Sequence, residues 1–364
     1  EAMSALGAAR YLQFAKRAVV RDGPPIHLTL YVTGRCNARC RHCFHWKEVD
    51  AGVEGLPLAA MERVAATIGG ELLWLAFAGG EPFLREDLGE IARAFARTRP
   101  RHVSIPTNAL VEEITVGGAE RVCAAVPDAF VNVSVSFDGP REIHDRIRAV
   151  PGGFDRSIET LAALRALQKR RANLGVGVIF TVTAENQDGA AEFVTWLRRE
   201  LRPDNVTINL ARGGPRDLAL LKVDPAKYRA AVEAKTRDLR DGSLPYFRFP
   251  MARVAAARDL VMYERIEGHA RGDGDYRPCL AGRLSAVVYE DGRVAPCEIL
   301  PDDFGNLRDV DFDLGRLWTS PRAQSLRDRI WAEKCACTWE CQAGVNVLFT
   351  PSLYPRLAAK TLVR

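Results

Sequence analysis

The stretch Ile-His-Leu-Thr-Leu-Tyr-Val-Thr-Gly-Arg-Cys-Asn-Ala-Arg-Cys-Arg-His-Cys-Phe, residues 26–44, runs from an apolar β-like segment into a loop with three cysteines. Cys36, Cys40 and Cys43 are separated by three and then two residues. Iron–sulfur clusters are held by cysteine thiolates, normally four of them. A loop offering three leaves one iron of a four-iron cluster open to something that is not protein. Zinc competes, because cysteine triplets also build zinc sites, and His42 or His45 would close such a site as a fourth ligand. The spacing by itself leaves both metals open.

A second motif, Ala78-Gly79-Gly80-Glu81-Pro82, follows the next apolar run, 72–77, and precedes a helix-like stretch. Gly79 and Gly80 permit close backbone approach, Glu81 offers acceptors to an ammonium, and Pro82 stiffens the turn. Taken together, the two motifs resemble the radical S-adenosylmethionine superfamily. The resemblance implies that Cys36, Cys40 and Cys43 hold a 4Fe-4S cluster whose open iron is chelated by the amino and carboxylate groups of S-adenosylmethionine. It also implies that Gly79, Gly80, Glu81 and Pro82 bind the same amino group. The family usually has Tyr or Phe before the third cysteine, near the adenine; here the flat ring is His42, and His42 and Phe44 are expected beside the cofactor. His42 and His45 are expected to line the site without ligating metal.

Composition is that of an ordinary soluble globular chain. With 51 basic and 46 acidic residues in 364, the formal charge of +5 is too small an excess to indicate a nucleic-acid partner. No apolar run reaches the roughly 18–20 residues of a membrane span and the N-terminus lacks a signal-peptide pattern, so a cytoplasmic location is expected. Nine cysteines in that compartment argue for metal or redox sites over disulfides. Glu1 and Ala2, ahead of Met3, are set aside from fold reasoning. Residues 1–25 read as an amphipathic helix, with Tyr11, Leu12, Phe14 and Val19 beside Arg10, Lys16, Arg17 and Arg21. Such a face suits contact with a membrane surface, but packing against the rest of the protein is the expected outcome.

From residue 26 to about 212, β-branched and aromatic runs alternate with helix-like stretches, the pattern of βα units and a parallel sheet. Strands are expected at 26–33, 72–78, 102–106, 130–137, 176–183 and 206–211, with helices near 57–69, 86–98, 117–126, 154–171, 188–201 and 225–240. The fold class is therefore α/β, and the resemblance implies a partial (βα)6 TIM-type barrel over 26–245. Chemistry in such barrels sits on the loops after the strands. Thr107 and Asn108 follow the third strand, and Ser134, Ser136 and Asp138 end the fourth, where the family commonly contacts the ribose. Val178 and Ile179 are expected at the adenine, and Asn186, Asn209 and Arg212 at the nucleoside or substrate. The segment 137–155 resembles one found in members with an auxiliary-cluster domain, where Arg146 or Arg148 would bind the methionine carboxylate. Cys123, on an apolar helix face, reads as a buried core residue.

After a helical linker at 246–275, ending in Arg271-Gly272-Asp273-Gly274-Asp275, come Cys279, Cys297, Cys335, Cys337 and Cys341. A hairpin turning at Asp291-Gly292 places Cys297 at its far end. Twelve residues separate Cys279 from Gly292 and four separate Gly292 from Cys297. This resembles the start of a SPASM domain or its shortened Twitch version, implying a small α+β auxiliary-cluster domain over 276–345. The tail at 346–364, with Leu348, Phe349, Tyr354, Leu357 and Leu362 beside Arg356, Lys360 and Arg364, suits packing on the barrel or contact with a lipid surface, and packing is the expected outcome. Five cysteines suit a second 4Fe-4S cluster with four ligands, Cys279 and Cys297 being the firm pair; zinc is the rival. A closed auxiliary cluster would serve electron transfer or site architecture, whereas one with three protein ligands would leave a place for substrate.

The resemblance implies an enzyme in which an external donor such as flavodoxin or ferredoxin reduces the first cluster. S-adenosylmethionine is then cleaved to a 5′-deoxyadenosyl radical that takes a hydrogen atom from substrate. The expected outcome is oxidation or rearrangement of a small biosynthetic intermediate. The alternatives are modification of a ribosomal peptide or protein, and a non-catalytic iron–sulfur or zinc protein. The 25 residues ahead of the first strand are too few for a separate leader-peptide domain, which weakens the peptide alternative. An electron carrier has no use for the Gly79–Pro82 motif, which weakens the non-catalytic one. The sequence names neither a general acid or base nor the oligomeric state.

Overall fold

A computed structural model describes residues 5–240, 249, 251–274 and 279–362. Glu1 and Ala2, most of 241–250, Asp275 at the end of the expected linker, and Arg364 lie outside the described residues. Six parallel strands form the core of the sheet: β1 (His27–Thr33), β2 (Trp74–Gly79), β3 (His102–Thr107), β4 (Phe130–Ser136), β5 (Leu174–Val182) and β6 (Val206–Leu210). Three more, β7 (Ser285–Val288), β8 (Arg293–Ala295) and β9 (Gly305–Asn306), extend it. The order is β6-β5-β4-β3-β2-β1-β7-β8-β9, with β1 and β6 not paired, so the barrel is partial, as expected.

Strand residues alternate strictly between two environments. Leu28, Leu30, Val32, Val131, Val133, Val135, Val176 and Val178 face the outer helices and form the hydrophobic core. His27, Thr29, Tyr31, Ser134, Ser136, Thr207 and Asn209 face inward and line a cavity. Side chains of this polarity leave the barrel with an open lumen in place of an aliphatic plug.

The helix expected at 117–126 begins at Glu112 and ends at Ala125. Gly117 and Gly118 do not break it: a Cβ on Gly118 would lie 2.5 Å from the Phe83 ring, so the glycine is there for close packing. Helices Trp46–Ala51 and Arg141–Arg148 are additional to those read from the sequence.

Both edges of the parallel sheet are covered by the C-terminal part of the chain. On one side β7 pairs in parallel with β1, His27 opposite Ser285 through Leu30 opposite Val288. On the other, the free edge of β6 donates Ile208 N–H to the Tyr263 hydroxyl (3.1 Å) and Leu210 N–H to Glu340 Oε1 (2.9 Å). The segment read as a linker is thus the helix Ala252–Arg271, which buries Ala257, Val261, Met262, Tyr263 and Ile266. Residues on either side of 276 share one hydrophobic core, Val261 and Phe77 with Val294, Phe304 and Val347.

The N-terminal helix Ala5–Ala15 packs through Phe14, which joins Ile26, Leu280, Leu284, Val345 and Phe349, while Leu12 and Val19 stay 71% and 79% exposed. The tail packs too: in the helix Tyr354–Leu362, Arg356 and Lys360 each lie 2.7 Å from the Glu264 carboxylate. Cys123 is buried in the core, and among the described residues no helix is long and apolar enough to cross a membrane.

Two predictions follow from buried polar contacts. The Tyr263 hydroxyl accepts from Ile208 N–H and from Lys235 Nζ (3.3 Å) inside the core. Tyr263→Phe leaves the Ile208 N–H unpaired and Lys235 with Asp259 alone, and is expected to lower stability by about 1–3 kcal/mol, read as a lower urea midpoint with an unchanged slope. His144 is fully buried, and its Nδ1 accepts the Asp138 N–H at 3.3 Å. Burial, and then Arg148, push its pKa down to about 4 from 6.5. Between those values the unfolded chain binds the proton that the folded chain refuses, so stability falls as pH drops from about 6.5 to about 4. His144→Gln should make that fall shallower; equal pH slopes would exclude His144 as a contributor.

Candidate functional site

The loops after β1 and β2 lie directly on one another, and the glycines of the second make this possible. A Cβ on Gly79 would stand 2.2 Å from the Thr33 carbonyl oxygen, and one on Gly80 2.2 Å from that of Arg35. With no side chain there, Gly80 N–H donates to Thr33 O (2.7 Å) and Glu81 N–H to Arg35 O (2.9 Å). The close approach expected of this motif is therefore an approach of the cysteine loop.

Glu81, in the cavity lining, also ties these loops together. It is 2% exposed; Oε1 accepts from Phe83 N–H (3.2 Å) and the Thr107 hydroxyl (2.9 Å), and Oε2 from Asn108 N–H (2.7 Å). Its acceptors are used to fix the β2 and β3 loops, and burial pushes its pKa up to about 7 against those hydrogen bonds.

Cys36, Cys40 and Cys43 line one end of a cavity of about 440 Å³, together with Gly79–Pro82, Asn108, Ser136 and Arg148. Asn108 Nδ2 reaches the Asn37 side chain (2.7 Å) and the Cys36 sulfur (3.8 Å), and Ala38 N–H points at the same sulfur (3.5 Å). Donors aimed at sulfur suit a thiolate. Burial pushes the Cys40 thiol up to about 12 and Cys43 to about 11, so deprotonation has to be coupled to metal binding.

Arg148 Nε lies 2.7 Å from the buried Asp138 Oδ2, which His42 Nε2 also approaches at 3.7 Å. Burial raises the Asp138 pKa, but Arg148 and His42 outweigh it and hold the carboxyl below its ordinary value. Of the two arginines considered, Arg148 faces the cavity, whereas Arg146 pairs with Glu185 on a more exposed surface. His42 and Phe44 line the cavity. His45 is held at 2.7 Å from Glu290 and its ring centroid is 4.5 Å from that of Tyr31.

Two residues read as cofactor or substrate contacts lie elsewhere. Val178 points into the helix-facing core, because strand alternation gives the cavity to its neighbour Ile179. Asn186 uses its whole carboxamide on the backbone, accepting from Thr183 N–H and donating to Asp138 O and Thr181 O. Asn209 and Arg212 do line the cavity. Asn209 Oδ1 is buried without a partner, and Arg212 pairs with Glu340 and lies 3.9 Å above the Trp339 ring.

In the second cysteine group, Cys279 and Cys335 interact through their thiols, which raises the Cys279 pKa and lowers that of Cys335. Cys337 lies within electrostatic reach of Cys279 and Cys297, and Leu300 N–H points at the Cys297 sulfur (3.5 Å). Cys341 is set among charged groups at the cavity wall. Burial pushes its thiol up to about 12, the charged groups acting on it are Glu298, Arg212, Glu340 and Arg258, and its exposed surface is cavity wall. Among the described residues no three His, Cys, Asp or Glu side chains converge tightly enough for a single metal ion.

Sequence reasoning missed the contacts joining the two cysteine groups. The Tyr31 hydroxyl donates to Glu298 Oε1 (2.9 Å), and the Phe44 ring meets Trp339 edge-on at 5.3 Å. Burial pushes the Glu298 pKa up to about 7. The inward phase of β1 and the position of Glu298 beside Cys297 were the available signals.

Comparison with known proteins agrees with this geometry. The radical SAM superfamily model matches residues 30–197, and the SPASM iron-sulfur cluster-binding domain matches residues 279–342. An AdoMet-dependent heme synthase of Methanosarcina barkeri is 27% identical over 325 residues, covering 82% of this chain and 83% of the relative. A PqqA peptide cyclase of Rhodopseudomonas palustris is 27% identical over 323 residues, 83% of this chain and 75% of the relative. Among solved structures, Streptococcus suis SuiB superposes with a TM-score of 0.59 at 19% identity, over 88% of this chain and 73% of that one. The structure of anSMEcpe with bound AdoMet gives 0.59 at 18% identity, over 93% and 95%; both share the fold. The cofactors this implies are S-adenosylmethionine, a 4Fe-4S cluster and an auxiliary iron–sulfur centre, to which all-thiol donor sets in and beside one cavity are suited. The chain belongs to the radical S-adenosylmethionine superfamily and carries a C-terminal SPASM-type iron–sulfur domain.

Proposed function

We propose that the chain oxidises or rearranges a small biosynthetic intermediate held between its two cysteine groups. The observation that carries this reading is a single cavity with Cys36, Cys40 and Cys43 at one end and Cys341, beside the second group, in its wall. Bound there, the first cluster and S-adenosylmethionine supply one-electron cleavage and hydrogen-atom abstraction, the electron coming from an external carrier such as flavodoxin or ferredoxin.

The chain's own residues bind and orient. Arg148 receives the methionine carboxylate, its guanidinium held in place by Asp138. The Gly79–Pro82 backbone meets the amino group, Ser136 and Asn209 present hydroxyl and amide to the nucleoside, and Ile179, His42 and Phe44 supply flat or apolar contact for adenine. Asn108 positions the cysteine loop through Asn37 and the Cys36 sulfur. Cys279, Cys297, Cys335 and Cys337 are the favoured auxiliary ligands, because they act on one another electrostatically. We divide the chain functionally at about residue 245, with the cytoplasm as its place of work.

A second reading, peptide modification, is supported by the PqqA peptide cyclase relative. The heme synthase name on a relative matched over a greater share of its length favours a small molecule.

Iron and sulfide analysis with EPR after anaerobic reconstitution tests the assignment. The parent should hold about eight irons and a Cys36, Cys40, Cys43→Ala triple variant about four, with S-adenosylmethionine cleavage under dithionite lost in the variant. About four irons in the parent and none in the variant, with zinc in the C-terminal domain, would overturn the auxiliary role. A further variant probes the loop packing. Gly80→Ala places a methyl against the Arg35 carbonyl and should reconstitute to about four irons, whereas Gly117→Ala, with only the Arg121 guanidinium nearby, should reach the parent's content.

A further inference from the structure

The cavity continues along the inner face of the sheet to the opposite, N-terminal ends of the strands. Seven-residue β1 spans about 20 Å of that length. Strand register brings four rings side by side at the far end: His27 pairs with Trp74, Trp74 with His102, and His102 with Phe130. All four face the cavity, and Phe249 packs on His102 and Phe130 with ring centroids 4.6 and 5.0 Å away. The helix Ala252–Arg271 adds Arg258, whose guanidinium carbon lies 5.1 Å from the Trp74 ring. This end of a barrel ordinarily serves stability. Here it is open and lined with rings.

Two buried polar atoms in this chamber have no partner. His27 is buried and its Nδ1 makes no hydrogen bond, while the other histidine is satisfied through Nε2 by the Tyr11 hydroxyl (3.0 Å). Arg258 pairs through one amino nitrogen with Asp259 (2.7 Å), but its Nε is buried and unpartnered. Lys235 also leans on Asp259 (3.6 Å), so two cations share one carboxylate. Unmade hydrogen bonds of this kind each cost about 1–3 kcal/mol. A ligand that supplies an anion to the guanidinium and a polar atom to the imidazole removes that cost.

We propose that this chamber binds the far end of the substrate, a planar conjugated body stacked along Trp74 and His102 with a carboxylate on Arg258. The proposal rests on the cavity being the substrate site of the radical enzyme, and it adds the chemical class. An aliphatic tail makes no use of the ring row or the unpartnered atoms. A peptide strand is less well served at the six barrel strands, since among the described residues β1 pairs with β7 and the Ile208 and Leu210 N–H groups of β6 are taken by side chains.

The test titrates the reconstituted full chain with 1-pyrenebutyrate and with its uncharged methyl ester, read by pyrene fluorescence. The acid should bind at least tenfold more tightly than the ester, and Arg258→Gln should weaken the acid about tenfold and remove the difference. Trp74→Ala should weaken both probes. Equal binding of acid and ester, no binding of either, or an Arg258→Gln variant that binds as the parent does would overturn the proposal. Should the variant fail to fold, the acid and ester comparison on the parent decides. Cleavage of S-adenosylmethionine by the parent without probe is measured alongside. Cleavage without acid-selective binding sinks the chamber alone; acid-selective binding without cleavage sinks the radical reading, and with it the identification of the bound body as substrate.

Discussion

An open parallel sheet leaves two rows of backbone groups unpaired, and the architecture of this protein answers to that constraint. Neither β1 nor β6 finds the other. The chain after residue 250 meets both: β7 pairs with β1 from His27 to Leu30, and Tyr263 and Glu340 take the Ile208 and Leu210 N–H groups of β6. Each such group left buried and unpaired would cost about 1–3 kcal/mol, so the C-terminal part is integral to the barrel. It follows that the second cysteine group is carried by the elements that cover the barrel's open side. Glu340 caps β6 at Leu210 and stands one residue before Cys341, in the cavity wall.

The first cysteine loop depends on a different kind of constraint, the absence of atoms. Two missing side chains, at Gly79 and Gly80, let two strand-end loops share hydrogen bonds at normal length. Glu81 then fastens this pair of loops to the third through Thr107 and Asn108. Three successive strand ends are thereby tied together behind the cysteines. A loop that must offer thiolates in fixed positions gains its rigidity from its neighbours, since its own hydrogen bonds are few.

Much of the fold was legible because inward and outward strand residues differ so sharply. A run such as Phe130-Val-Asn-Val-Ser-Val-Ser136 announces one polar and one apolar face, and all six barrel strands fall within two residues of their expected limits. The same alternation, applied more strictly, would have chosen Ile179 over Val178. Asn186 was illegible because an amide that bolts a turn and one that meets a ligand look alike in sequence. Helix 252–271 was visible as a helix, but its role on the β6 edge depends on tertiary pairing that no local pattern carries. Likewise the charged surroundings of Cys341, at the start of helix Glu340–Leu348, come from tertiary packing that spacing alone does not encode.

In the proposed reading, the lumen divides recognition from reaction along a single set of strands. β1 contributes His27 at one end and passes into the cysteine loop at the other, with Tyr31 between them reaching Glu298 beside Cys297. The groups proposed to hold the cofactor sit on loops whose packing tolerates little change, as the 2.2 Å approaches at Gly79 and Gly80 require. Groups at the far end sit on strand residues whose backbone is already fixed by the ladder, so their side chains can vary without disturbing the sheet. A scaffold built this way can keep one radical-generating end and accept different substrates at the other. Such a division would give a physical reason why relatives of similar identity and coverage carry names as different as heme synthase and peptide cyclase.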